Sequence, residues 1–226
     1  MTSTPSGPPR RPISPIRLGV CVSGGGTTLQ NLLDRIEAGT LDARVVQVVA
    51  SRGGIAAIAR AEKVGLPVAV ADSARQRTDL EAFSASVFDP IRESGADLVL
   101  LAGFLALVKI PDDFKGRVVN IHPGLIPSFC GKGYYGDRVH QAALDYGVKI
   151  SGCTVHFASD EYDEGPIILQ KTVPVLEGDD ARALAARVFE AEREALPEAV
   201  ALYASGRLRI EGRRVRIVSP GDEPDV

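Results

Sequence analysis

The chain contains no tryptophan and no long apolar run, and it has few cysteines, few histidines and little excess charge. The longest apolar stretch, from Leu98 to Val108, is shorter than the roughly 18 to 20 residues that cross a bilayer, so no membrane span is expected. The three cysteines lie far apart without a C-x-x-C pair, which argues against a zinc knuckle and a disulfide framework. A cytoplasmic location, in a reducing compartment, is therefore expected.

The charge balance argues against a further class of partner. A net charge of -3 with scattered positive charges gives no basic stripe for nucleic acid, so any bound phosphate has to be held locally. No second histidine or cysteine stands at ligand spacing beside the acidic residues, so no metal is expected. Residues 1–14 lack the apolar segment and cleavage site of a signal peptide, and their Pro-rich and Ser-rich composition predicts a disordered leader.

The apolar pattern alternates between short strand-like runs and helical periods. It predicts an α/β class and a Rossmann-like fold: an open, mostly parallel twisted sheet with helices on both faces, and added antiparallel strands near the C-terminal half. One domain is expected over 15–218, followed by a flexible tail at 219–226. The predicted strands are 16–23, 45–51, 67–71, 98–102, 118–121, 149–159 and 166–175, and the predicted helices are 28–38, 55–64, 80–93, 135–145 and 180–204. Pro197 predicts a kink or break in the last helix, and a hairpin is expected to turn at Glu211-Gly212.

A glycine-rich turn follows the first predicted strand and leads directly into a helix. Its sequence, SGGGTT, lets backbone N–H groups approach a ligand at a helix N-terminus, which suits an anion or a phosphate. It is neither the G-x-G-x-x-G dinucleotide pattern nor a P-loop. The alternative is a tight turn that binds nothing.

The run Asn120-Ile121-His122-Pro123 lies at the end of the fifth predicted strand, where open α/β sheets bind ligands. An amide, an imidazole and a carboxylate are the groups needed to hold a carbonyl and move a proton. Asp163 supplies the carboxylate in the loop DEYDEG, where Gly165-Pro166 is expected to hold it facing the sheet and beside His122. The alternatives are an inert loop histidine and a solvated acidic loop; His140 and His156 are interpreted as structural.

Several motifs together resemble one enzyme family. The segments SGGGTTLQNLL, LVLLAGF, NIHPGLIPSF, GCTVHF, DEYDEGPIILQ and RVFEAEREALP occur in the order found in phosphoribosylglycinamide formyltransferases, the folate-dependent enzymes of purine synthesis. The resemblance covers about residues 16–215. It implies transfer of a formyl group from 10-formyltetrahydrofolate, as co-substrate, to the amine of glycinamide ribonucleotide, without a metal.

The resemblance also implies the roles of particular residues. Asn120, His122 and Asp163 would be catalytic, with Asp163 raising the pKa of His122. The ribonucleotide would be bound by Gly25, Gly26, Thr27, Thr28, Pro123 and Glu192. The folate would be bound by Leu105, Ala106, Leu107, Val108, Asn120, Asp160 and, for its glutamate tail, Arg77. The expected partners are these two small molecules, with no nucleic acid or membrane, and the expected state is a monomer or a homodimer.

This chain departs from the family pattern at three places. It has SGGGTTL where SGNGSNL is common, and Ala106 where a basic residue usually follows AGF. The segment after the histidine, SFCGKGYYGDR, is longer than usual, and residues 131–138 are expected to cap the ribonucleotide or to form an oligomer contact.

Three other functions compete with transfer. A formyltetrahydrofolate deformylase shares the trio but would carry an additional N-terminal domain. A methionyl-tRNA formyltransferase would need a basic tRNA-binding domain. A non-catalytic module that senses a phosphorylated metabolite would need the glycine turn but neither His122 nor Asp163.

Overall fold

The computed structural model describes residues 12–219, so the predicted leader lies almost entirely, and the predicted tail mostly, outside the described residues. Nine strands and five α-helices occur within 12–219 and alternate along most of the chain. The strands are β1 Ile16–Val22, β2 Ala43–Ala50, β3 Val68–Val70, β4 Leu98–Leu101, β5 Val118–His122, β6 Ile150–Phe157, β7 Ile167–Pro174, β8 Leu208–Glu211 and β9 Arg214–Ile217. The helices are α1 Thr27–Glu37, α2 Ala56–Lys63, α3 Leu80–Glu93, α4 Asp137–Tyr146 and α5 Ala181–Ala204.

The chain divides into two compact units. The first unit comprises Pro15–Ile121 and Ala158–Tyr162, and the described part of the second comprises His122–Phe157 with residues 12–14 and 163–219. The predicted single domain over 15–218 stays a prediction.

The first unit contains the parallel sheet that the sequence predicts. Its strands lie in the order β3-β2-β1-β4-β5, and every neighbouring pair is parallel. All four residues of β4 are buried, as expected for a strand covered on both faces. The apolar side of α3, with Phe83, Val87 and Phe88, packs into the core beside Cys21. The parallel order brings the carboxyl ends of these strands to one edge of the sheet.

The second unit contains the antiparallel additions. Its strands lie in the order β6-β7-β9-β8; the pairs β6–β7 and β8–β9 are antiparallel, while β7 and β9 pair in parallel at one position. Glu211 pairs with Arg214, so the hairpin turns at residues 212–213, one position later than predicted. The predicted α/β class with antiparallel strands near the C-terminal half is confirmed.

Pro197 does not break the last helix, because α5 spans 24 residues and continues past it to Ala204, whereas the kink stays a prediction. A proline inside a helix removes one backbone hydrogen bond and crowds the preceding turn. Here Pro197 lies among buried residues, with Ala195 and Leu196 before it and Val200 after it. Burial of this face offsets the local cost, so packing overrides the propensity of one residue.

Candidate active site

His122 is the last residue of β5 and is almost fully buried. Its Nε2 lies 2.9 Å from the carbonyl oxygen of Phe129. Its Nδ1 lies 3.4 Å from Oδ2 of Asp163. The structure therefore brings His122 and Asp163 together as predicted, and both nitrogens of the imidazole face oxygen atoms.

Asp163 connects three groups of the second unit. Its Oδ2 accepts a hydrogen bond from the N–H of Gly131 at 2.8 Å, and its Oδ1 lies 3.6 Å from Nε2 of His156. Burial would raise the pKa of Asp163, but the hydrogen bond from His156, the charge of His122 and the Gly131 amide outweigh it, so the pKa lies below its ordinary value. Asp163 is therefore a carboxylate at neutral pH.

The pKa of His122 lies below its ordinary value of 6.5, mainly because burial disfavours the charged form. The carboxylate of Asp163 acts in the opposite direction, as expected, and so does the carbonyl of Phe129. The net shift is downward, so the charge of Asp163 opposes the effect of burial on the pKa of His122 without reversing it. At neutral pH His122 is mostly a neutral imidazole, which can accept a proton.

Asn120 lies two residues before His122 on β5, opposite Leu101 of β4, and is half-buried. Alternation along a strand places the side chains of Asn120 and His122 on the same face. Pro123 follows His122 directly and is also half-buried.

Sequence analysis missed two residues of β6, His156 and Thr154. His156 is almost fully buried, and its Nδ1 lies 2.8 Å from the carbonyl oxygen of Phe157 while its Nε2 faces Asp163. Thr154 Oγ1 donates to the carbonyl of Gly124 at 2.7 Å and accepts from the N–H of Ile126 at 3.1 Å. Polar residues two apart in an otherwise buried strand were the available signal, because such residues share one face.

The glycine turn leads into α1 with a left-handed residue, Gly26, at φ 72°. A Cβ at this position would lie 2.7 Å from the Cβ of Ala57 in α2, so the close approach of the two helices also requires glycine. The carbonyl of Gly25 accepts a hydrogen bond from Nε of Arg60 at 2.8 Å. Thr27 is exposed and Thr28 half-buried. Arg60 is a positive charge beside the turn that sequence analysis missed.

Glu192 lies in α5 and is half-buried. Burial raises the pKa of its carboxyl group to about 8. Burial and then the charge of Glu192 raise the pKa of the Cys153 thiol to about 12, which places Glu192 near β6. Among the described residues, no hydrogen bond or ion pair of the Glu192 carboxyl group is present.

A cavity of roughly 310 Å³ lies at the carboxyl ends of the strands of the first unit. It is lined by three of the predicted folate-binding residues, Arg77, Leu105 and Ala106. Arg52, which sequence analysis missed, also lines it. Its remaining lining consists of polar residues from the segments that follow β1, β2 and β3: Ser23, Ser51, Ser73 and Gln76. Two guanidinium groups in one cavity suit a carboxylate ligand.

Leu107 and Val108 follow the cavity residues Leu105 and Ala106 directly along the chain, and Asp160 also belongs to the first unit. The side chain of Val108 is buried in the core and Leu107 is half-buried. Asp160 accepts a hydrogen bond from the N–H of Ile110 at 2.8 Å, which fixes the acidic loop to the segment after β4. In this structure the Asp160 carboxylate therefore stabilises the backbone at Ile110.

Residues 132–138 of the longer segment are all exposed. The guanidinium of Arg138 lies 4.9 Å from the ring centre of Tyr135, a cation–π distance. The proposed capping role of residues 131–138 stays a prediction.

The described residues offer neither a metal-binding cluster nor a membrane-spanning helix. No group of three or more histidine, cysteine or acidic side chains in 12–219 is placed to hold a metal ion. Over the same residues, no helix combines the length and apolar character required for a bilayer span.

The chain is similar to known proteins in both sequence and structure. A family model described as formyl transferase matches residues 16–200. The chloroplastic phosphoribosylglycinamide formyltransferase of Arabidopsis thaliana is 35% identical over 211 residues, which cover 92% of this chain and 72% of that protein. The crystal structure of glycinamide ribonucleotide transformylase 1 from Symbiobacterium toebii is 43% identical, covers 90% of this chain and 94% of that chain, and has a TM-score of 0.81.

Two further similarities support less, one because of limited coverage and the other because of low sequence identity. The trifunctional purine biosynthetic protein adenosine-3 of Gallus gallus is 37% identical over 197 residues, but the chain spans only 19% of its length. A formyltetrahydrofolate deformylase from Pseudomonas syringae is 24% identical with a TM-score of 0.77, and this similarity shows the fold alone. On the family match and the Arabidopsis relative, the chain belongs to the formyl transferase family.

Proposed function

We propose that this protein transfers the formyl group of 10-formyltetrahydrofolate to the amine of 5-phosphoribosylglycinamide. The products are formylglycinamide ribonucleotide and tetrahydrofolate, in purine synthesis. The observation that carries the proposal is the buried His122–Asp163 pair, a neutral base beside a carboxylate, in a chain that is similar over most of its length to phosphoribosylglycinamide formyltransferases.

The reaction needs a proton acceptor and a group that stabilises negative charge. The amine attacks the formyl carbon, the carbonyl oxygen gains negative charge, and the amide of Asn120 donates a hydrogen bond to it. His122 takes the proton of the attacking amine and becomes an imidazolium, which the carboxylate of Asp163 stabilises. His122 then gives the proton to the folate nitrogen as the carbon–nitrogen bond breaks.

The remaining site residues divide between the two substrates. The glycine turn with Gly25, Gly26, Thr27 and Thr28 would hold the phosphate, with Pro123 and Glu192 on the ribonucleotide side. A carboxyl group with a pKa of about 8 keeps its proton at neutral pH and can donate to a hydroxyl oxygen.

The folate would be bound through Leu105 to Val108, Asn120 and Asp160. Arg77, together with Arg52 in the same cavity, would bind the carboxylates of its glutamate tail. We also propose a cytoplasmic location, supported by three free cysteines, of which Cys21 and Cys153 are buried. A monomer or a homodimer stays the proposed state.

One incubation separates transfer from hydrolysis. The protein is mixed with 10-formyltetrahydrofolate with and without the ribonucleotide, and loss of the formyl group is followed by absorbance. Release that requires the ribonucleotide supports the proposal, and equal release without it indicates a deformylase.

The variant His122→Ala tests the non-catalytic alternative. The transferase is expected to lose turnover by a factor of at least about 100 while ribonucleotide binding, measured by calorimetry, is kept. Binding without turnover in the unaltered protein would instead indicate a sensor.

A further inference from the structure

The backbone of three consecutive residues holds both members of the catalytic pair. We call Phe129, Cys130 and Gly131 the clamp. The carbonyl oxygen of Phe129 lies 2.9 Å from Nε2 of His122, and the N–H of Gly131 donates to Oδ2 of Asp163 at 2.8 Å. The clamp therefore contacts His122 at one end and Asp163 at the other, in the second unit.

Two residues around His122 have an unfavourable backbone conformation. Among the non-glycine residues in 12–219, only Phe129 and Asp163 have a positive φ, at 50° and 58°. A side chain makes this conformation costly, and it persists where the surroundings hold it. The ring of Phe129 packs edge-on against Tyr146 with ring centres 5.8 Å apart, which helps to hold the clamp in place. The oxygens that face the two nitrogens of His122 thus belong to these two residues.

The chemistry of the two oxygens determines which nitrogen of His122 carries the proton. A backbone carbonyl only accepts hydrogen bonds, so a contact of 2.9 Å requires an N–H at Nε2. A neutral imidazole has a single N–H, so Nδ1 then carries the lone pair. The distance of 3.4 Å from Nδ1 to Asp163 is longer than an ordinary N–H···O bond, as expected for a nitrogen that donates nothing there.

We propose that the Phe129 carbonyl fixes neutral His122 with its proton on Nε2, so that Nδ1 is the atom that accepts the proton of the attacking amine. This inference rests on the proposed function for its catalytic meaning. When the amine proton moves to the Nδ1 lone pair, the imidazolium donates from Nε2 to Phe129 and from Nδ1 towards Asp163. When Nδ1 returns that proton to the folate nitrogen, the neutral ring is restored with its Nε2 proton unchanged.

The clamp is thus a positioning element and does not take part in a bond change. The Phe129 carbonyl holds the ring through Nε2, and the Gly131 amide holds the carboxylate that stabilises the charged ring. Either neutral form leaves one lone pair facing an oxygen. With the proton on Nδ1 this contact would be the shorter one, from Nε2 to the Phe129 carbonyl at 2.9 Å, and with the proton on Nε2 it is the longer one, from Nδ1 to Asp163 at 3.4 Å.

Nitrogen-15 NMR of the labelled protein at a pH where His122 is neutral tests the inference directly. The chain has only three histidines, and the His122 signals are identified as those lost in His122→Asn. We expect the shift of a protonated nitrogen at Nε2 and the shift of a lone-pair nitrogen at Nδ1. The reverse assignment, or an even mixture of the two forms, would overturn the proposal.

A matched pair of variants tests the role of the Phe129 backbone. Phe129→Gly and Phe129→Ala both remove the ring, but only alanine disfavours the positive φ that presents the carbonyl. We expect Phe129→Gly to keep the proton on Nε2 and Phe129→Ala to give a mixture, with kcat at least about threefold lower than in Phe129→Gly. Equal proton placement in the two variants would refute the positioning role.

The NMR result does not depend on turnover. A protein that has the expected proton placement but transfers no formyl group would refute the proposed function and leave the placement standing. A protein that transfers formyl groups with the proton on Nδ1 would refute this inference alone.

Discussion

Replacing Glu192 by glutamine is expected to stabilise the protein by an amount that grows with pH. The folded-state pKa of Glu192 is about 8, above the ordinary value of 4.5. Between these values the unfolded chain loses the proton and the folded protein keeps it. The unfolded state then binds fewer protons, so the free energy of unfolding falls as the pH rises through this window. Glutamine has the same shape and does not titrate, so the variant escapes this loss.

The size of the effect follows from the shift. At pH 7 the folded and unfolded states differ in protonation over the 2.5 pH units above 4.5, and at about 1.4 kcal/mol per unit the upper bound is about 3.5 kcal/mol. Because Glu192 is only half-buried, water screens part of this, and we expect about 2 kcal/mol. In a protein of this size that corresponds to a rise of roughly 4–8 °C in Tm.

Urea unfolding followed by circular dichroism, at about pH 5 and about pH 8, measures the difference. Glu190→Gln is the matched control, because Glu190 lies one half-turn away on α5 and is 70% exposed in a pair with Arg193. The control is expected to change the free energy of unfolding by less than about 0.5 kcal/mol at either pH. A gain for Glu192→Gln that is equal at both pH values, or larger at the lower one, would refute the reasoning.

Three further predictions concern the base, the glycine turn and the cavity. Because burial lowers the pKa of His122, kcat/KM is expected to fall on the acid side with an apparent pKa below 6.5. The variant Asp163→Asn removes the charge that opposes this shift, so the pKa of His122 measured by NMR is expected to be lower still, and a rise would contradict the electrostatic account. Gly26→Ala is expected to lower the free energy of unfolding in urea by about 2–4 kcal/mol, because it adds a clash with Ala57 to a left-handed φ. At the control Gly24→Ala an added Cβ meets nothing within 4 Å, so the expected loss is less than about 1 kcal/mol, and equal losses in the two variants would refute the account. Arg77→Ala is expected to raise the KM for formyl-folate by about tenfold, which corresponds to the loss of a contact of about 1.4 kcal/mol, and to leave the KM for the ribonucleotide unchanged. The control is Arg44→Ala, at the exposed start of β2, and a change in the ribonucleotide KM alone would assign the cavity to the other substrate.

The parts of the site that lie at strand ends could be predicted from the sequence. His122 and Asp163 could be identified because each lies near the end of a predicted strand, and the structure places His122 Nδ1 3.4 Å from Asp163 Oδ2. The direction of the His122 pKa shift could not be predicted in this way. A neighbouring carboxylate is visible in the sequence, but the burial that outweighs it is a property of the folded chain, in which the His122 side chain is 3% exposed.

Other features have no sequence signal of their own. Phe129 adopts a positive φ that is normally a property of glycine, so its carbonyl could not be assigned to His122. Arg52 follows β2 in an ordinary turn, and its association with Arg77 results from the parallel order of β1, β2 and β3. Pro197 shows the converse, since the helix break that a proline predicts does not occur where the helix face is buried.

The hydroxyl group of Thr154 has no hydrogen-bonding capacity left for a substrate. A hydroxyl can donate once and accept twice, and Thr154 donates to Gly124 and accepts from Ile126 and from Nε2 of Gln170, the last at 3.0 Å. Serine could make the same three bonds, whereas valine would leave three polar groups of the loop and β7 without this partner, at about 1–3 kcal/mol for each that stays buried. The residue at this position is therefore limited to hydroxyl side chains by the loop that follows His122, whichever molecule the site binds.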